Sequence, residues 1–150
     1  MKERFSDQEW RTIMSLPFAI FGVVASADGK VDEKEIEEFT KRTLNPLWQY
    51  KDALHQEVAR DIAGSDVSAL IQEGMQLDPE PVRAMLKEKL SEDEYQSFLG
   101  SIFVDEMAVA RASGGGIFRK GKIKDKESER LVGFAAFFGI DLEKVQKIFA

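Results

Sequence analysis

The sequence predicts an all-α fold, a single domain over residues 1–150 made of about seven or eight helices. Apolar residues recur at three-and-four spacing along the whole chain, as in Trp10, Ile13, Met14 and Phe18. Ser-x-x-Glu capping boxes stand at Ser6 with Glu9 and at Ser91 with Glu94. No stretch alternates apolar and polar residues between hairpin-type turns. A chain of 150 residues buries about 68–70% of its unfolded surface, so folding does not call for a disulfide or a structural metal.

The elements follow in order. Ser6 opens the first helix, Pro17 is expected to kink or break it, and the continuation from Phe18 to Ala27 carries Phe21, Val24 and Ala25. Gly29 is suited to the left-handed residue that stops it. Asp32 caps the next helix, whose pattern turns Ile36, Phe39, Thr43 and Leu44 inward and Glu33, Lys34, Glu37 and Lys41 outward. Asn45-Pro46 ends it, because the residue before proline avoids helical geometry. A third helix is expected from about Pro46 to Ala63, with Leu47, Leu54, Val58 and Ile62 on one face and His55 half-buried at its flank. The fourth covers about Asp66 to Leu77, and the fifth starts at Asp78-Pro79 and runs through Leu90. Ser91 opens a long helix to Ala112 with Tyr95, Phe98, Ile102 and Val109 aligned. After Ser113 and three glycines, two more helices span about Asp125 to Phe138, ended by Gly139, and Asp141 to Phe149.

The stretch Ala25 to Leu44 carries the chemistry. Gly29, Val31 and Glu35 stand at the spacing of the glycine, the apolar residue and the bidentate glutamate of an EF-hand loop, with Asp28 and Asp32 between them. The leading ligand position is Val24, which has no side-chain oxygen, so the first half of the loop departs from an ordinary EF-hand. A partial oxygen site that borrows ligands from another segment fits better. The plain alternative is a well-capped corner, since Asp32 and Glu35 form a D-x-x-E variant of the capping box. Asp105 projects into the apolar stripe of the long helix, with Glu106 beside it. It either joins the acidic corner or pairs with a cation such as Arg111 or Arg119, because an isolated buried charge is costly.

The corner has an echo. ASADG at Ala25–Gly29 is repeated as ARASG at Ala110–Gly114, and GKVDEKEIEEF at Gly29–Phe39 as GKIKDKESERL at Gly121–Leu131, with about seven residues inserted. Glu127 then corresponds to Glu35, and Ser113 to Asp28. These two helix-corner-helix copies resemble the TerB-like tellurite-resistance family, all-helical domains with an A-D-G-x-[IV]-x-x-x-E signature near the N-terminus and a related one near the C-terminus. The resemblance runs from about Phe18 to Phe149, and Asp28, Gly29, Val31, Glu35 and Glu127 match it; Ser113 and the glycine-rich insertion depart. It implies an acidic metal-binding surface and a part in stress response or tellurite resistance, with no established enzymatic reaction.

Composition narrows the function further. With no cysteine and one histidine, thiolate zinc sites, multi-histidine sites and cysteine nucleophiles are excluded. A net charge of −6 and a pI of about 5.0 argue against nucleic acid, which is held by clustered Lys and Arg. The polar start MKERFSDQEW is no secretory signal, no apolar run reaches the eighteen or so residues of a spanning helix, and a cytoplasmic protein is expected. Gly116–Lys122 satisfies G-x-x-x-x-G-K, but it follows a helix and has Ile123 where a phosphate loop carries Ser or Thr. Two functions remain. One is a TerB-like accessory module binding calcium or magnesium through Asp28, Asp32 and Glu35, with Asp105, Glu106 or Glu127 contributing. The other is a metal-free scaffold whose acidic corner and basic glycine-rich stretch, Arg119 to Lys126, meet another protein. Catalysis by paired carboxylates lacks a recognisable cleft.

Overall fold

The computed structural model describes residues 1–25, 33–45, 52–112 and 126–149. These form a 3-10 turn at Lys2–Arg4 and eight α-helices: α1 (Asp7–Ala25), α2 (Glu33–Thr43), α3 (Ala53–Ala63), α4 (Val67–Met75), α5 (Pro79–Lys89), α6 (Glu92–Ala112), α7 (Lys126–Phe138) and α8 (Leu142–Phe149). The all-α class stands, and no strand occurs among the described residues. None of the described helices is long and apolar enough to cross a membrane.

Local chemistry sets the helix starts. Ser6 N donates to Glu9 Oε1 at 2.8 Å and Glu9 N to Ser6 Oγ at 3.1 Å, and the same reciprocal pair recurs at Ser91 and Glu94 at 2.9 and 3.2 Å. Asp52, Asp66, Asp78 and Asp141 accept from backbone N–H groups of α3, α4, α5 and α8. Gly139, with φ +77°, takes the left-handed conformation that stops α7. The exposed carbonyls there are taken up by side chains: the Tyr95 hydroxyl donates to Phe138 O at 2.7 Å, Arg83 Nη1 to Phe137 O at 3.0 Å and Gln96 Nε2 to Gly139 O at 3.1 Å. Burial pushes the Tyr95 hydroxyl up to about 12, so it remains a donor.

One hydrophobic cluster runs from Phe5 to Val145. α6 lies in its middle, touching α1, α2, α3, α5, α7 and α8, and its Phe98, Leu99, Ile102, Phe103 and Met107 are buried. Each such side chain stabilises by roughly 1.5–3 kcal/mol. α1 packs along α4, where a Cβ on Gly74 would stand 3.0 Å from Ala19 N and Ser15 O.

The structure corrects three expectations. α1 runs unbroken through Pro17, which is buried with Leu16 and Phe18 inside the core; packing on both sides of the proline holds the helix despite the lost N–H. α3 begins at Ala53, not near Pro46, because Asp52 is in an extended conformation and caps it; residues 46–51, including Leu47, lie outside the described set. On α2 the inward face is rotated from the expected one: Glu35 is 2% exposed and Ile36 46% exposed, while Phe39 and Thr43 are buried as expected. The corner at residues 26–32 and the glycine-rich and basic stretch at residues 113–125 lie outside the described residues.

Two expectations follow from the packing. Gly74→Ala should destabilise the protein by about 1–3 kcal/mol through overpacking against backbone, whereas Gly22→Ala, where a Cβ meets nothing within 4 Å, should stabilise it by roughly 0.5–1 kcal/mol. Urea denaturation of the two variants checks the contrast; equal effects would contradict the packing. Second, hydrogen bonds from Arg4 and from the Ser91 backbone and hydroxyl hold Glu94 down to about 2 from its ordinary 4.5. A depressed folded-state pKa contributes stability above the unfolded value that is lost as pH falls through the folded one. The melting-temperature deficit of Glu94→Gln should therefore be full at pH 5–7 and shrink toward pH 2, and a pH-independent deficit would contradict the coupling.

Candidate acidic site between α2 and α6

α6 carries Ser97, Ser101 and Asp105 at successive i, i+4 positions, which stack in one row along the helix. That row faces α3 and α2. Ser97 Oγ donates to Asp52 Oδ2 at 2.7 Å, and Ser101 Oγ lies 2.6 Å from His55 Nδ1. Arg42 Nη1 donates to Asp105 Oδ1 at 3.0 Å while its Nε donates to Glu38 Oε1 at 2.7 Å. Burial works against the Arg42 charge, but the two carboxylates outweigh it and raise its pKa.

His55 is buried outright, not half-buried at a flank as the sequence suggested. Burial pushes its imidazole down to about 3, so at neutral pH it is uncharged, and its Nε2 lies 3.9 Å from Asp105 Oδ2. Ser101, His55 and Asp105 have the composition of a hydrolytic triad, but all three are buried, and the Nε2 to carboxylate separation exceeds hydrogen-bond length. The arrangement is a polar seam between helices.

Glu106 follows Asp105 but sits off the row. It is 2% exposed, and its Oε2 is buried with no hydrogen-bond partner. Burial first, then the neighbouring charges of Asp105 and Glu35, lift its carboxyl well above the usual carboxylate range. Glu35 on α2 and Asp105 with Glu106 on α6 thus form one acidic neighbourhood, in which Arg42 faces Asp105 and the Glu106 carboxyl favours its protonated form.

Of the six residues the sequence singled out, the structure brings Glu35, Asp105 and Glu106 together. Asp28 and Asp32 lie outside the described residues. Glu127 has its backbone in the first turn of α7, and its side chain is likewise outside them. Asp105 has Arg42 as a cation partner, and Arg119 lies outside the described residues. Among the described residues no three His, Asp or Glu side chains are already arranged to hold a metal ion. Sequence reasoning missed Arg42, although its spacing from Glu35 and Glu38 on α2 places the three on one helical face. No family model matches the chain, and no curated protein or solved structure is significantly similar to it. The TerB resemblance therefore rests on the corner motifs alone.

Breaking a largely desolvated pair by removing one partner is far more damaging than losing a surface i, i+4 contact. Arg42→Ala is expected to destabilise by on the order of 3 kcal/mol, and Glu38→Gln by about 0.5 kcal/mol. Chemical denaturation measures both. Equal small losses would mean that Asp105 does not depend on Arg42.

Proposed function

We propose that this protein is a TerB-like, non-enzymatic accessory module of a cytoplasmic stress-response or tellurite-resistance system, and that it takes up calcium or magnesium at the interface of α2 and α6. The observation that supports this above the others is the Glu106 carboxylate, buried with one oxygen unpartnered beside Asp105 and Glu35. A buried carboxylate oxygen without a hydrogen-bond partner is costly, and a hard cation takes such an oxygen as a ligand. Glu106 and Glu35 would hold the ion together with Asp28 and Asp32 from the corner, and water would complete the six to eight oxygens calcium takes. Asp105, already engaged by Arg42, would add charge to the site. A bound ion would join α2 to α6, giving a partner protein a cation-dependent surface to read.

The alternative is the metal-free scaffold, in which the acidic corner and the basic stretch dock a partner directly. Calorimetric titration and thermal denaturation after chelation separate the two. Wild-type protein is expected to bind calcium or magnesium saturably and weakly, and to gain about 2.7 kcal/mol at a hundredfold excess over Kd. Glu106→Gln should raise the melting temperature of the metal-free protein, because it removes a carboxylate from an acidic neighbourhood, and should abolish the response to the ion. Asp28→Asn and Glu35→Gln should weaken binding, and Glu127→Gln should not. Loss of binding only in Glu127→Gln would move the site to the second corner. No binding at millimolar divalent ion would leave the scaffold.

A further inference from the structure

The described residues include three exposed large apolar side chains, Ile36 (46%), Ile71 (44%) and Met75 (79%). All three line the same cavity of about 590 Å³, bounded by α1, α2, α4 and α7. Its floor is apolar: Phe21 stacks on Phe39 with ring centroids 4.1 Å apart, and Phe134 of α7 contributes to the wall. Gly22, in α1, also lines it, and a Cβ there would meet nothing within 4 Å. A helical glycine forgoes roughly 0.5–1 kcal/mol relative to alanine; here it leaves the cavity open.

The polar part of the described lining is small. Thr40 offers a hydroxyl, and Arg130, one turn before Phe134 on α7, offers the one charge. Arg130 is exposed and pairs with no described carboxylate. A few hundred cubic ångströms of apolar cavity with a few convergent polar groups is the usual form of a small-ligand site.

We infer that this cavity binds a single-chain fatty carboxylate, with the acyl chain over Phe21, Gly22 and Phe39 and the carboxylate on Arg130. Charge complementarity selects this occupant. A second copy meeting the same face through a two-fold axis would bring no carboxylate from the described lining to Arg130, because the two patches are identical. An anionic bilayer is repelled by a chain of net charge −6, whereas one carboxylate in the cavity meets a guanidinium at close range.

The test is displacement of a dansylated undecanoic acid from the full-length protein by dodecanoate and hexadecanoate, with dodecanol as the uncharged control. Wild type should bind one fatty carboxylate per chain saturably. Gly22→Leu places a side chain in the open space; it should melt no lower than wild type and lose at least about tenfold in affinity. Arg130→Gln should weaken dodecanoate by about tenfold and leave dodecanol unchanged. Absence of saturable displacement, or unchanged binding in Gly22→Leu, overturns the inference. So does concentration-dependent self-association that Met75→Glu abolishes while no fatty carboxylate binds, since the face would then be an interface between copies. Divalent-ion binding is read separately, so this result and that of the acidic site stand independently.

Discussion

The burial of a polar row on α6 is the constraint from which much of the architecture follows. A hydrophobic face alone lets a helix slide or rotate on its neighbours, because apolar contact is non-directional. Ser97, Ser101 and Asp105 remove that freedom. Each sits at the interface with α3 or α2 and meets a specific partner, Asp52, His55 or Arg42, at hydrogen-bond length. Shifting α3 along α6 by one turn would break two of these at once, and a buried polar group left without its partner loses about 1–3 kcal/mol. The seam thereby sets the register of α3 and of α2 on α6, and the register of α2 brings Glu35 beside Glu106.

α2 is the element with two roles. Its Glu35, Glu38 and Arg42 side faces the carboxyls of α6, and its Ile36, Phe39 and Thr40 side lines the apolar cavity against α1 and α4. Eleven residues therefore separate an electrostatic site from a hydrophobic one. The stacked Phe21 and Phe39 rings tie α2 to α1, as Arg42 ties it to α6.

Much of the fold was legible because its signals are local. Capping boxes at Ser6 and Ser91 and the glycine stop at Gly139 depend on a few neighbouring residues, and the structure forms each of them. Pro17 misled because tertiary packing outweighs a local propensity. The face of α2 misled for a related reason: a pattern that counts hydrophobicity turns Ile36 inward, whereas α6 presents polar groups that draw the Glu35 side toward it. The burial of Glu106 was not readable from its own helix, since it depends on where α2 lies across α6. Asp105 was legible as an anomaly in an apolar stripe, but its cation was not, because Arg42 is 63 residues away in the chain.

The proposed cation between α2 and α6, at Glu106, can be located directly. Manganese is a paramagnetic stand-in for calcium or magnesium, and it broadens the nuclear magnetic resonances of groups near its site. In a titration with substoichiometric manganese, the side-chain signals of Glu35 and Glu106 should broaden first, those of Ser97 and Asp52 at the far end of the seam later, and added magnesium should reverse the effect. Broadening centred on exposed carboxylates elsewhere, such as Glu92, Asp93 and Asp141, with Glu106 untouched, would contradict the account.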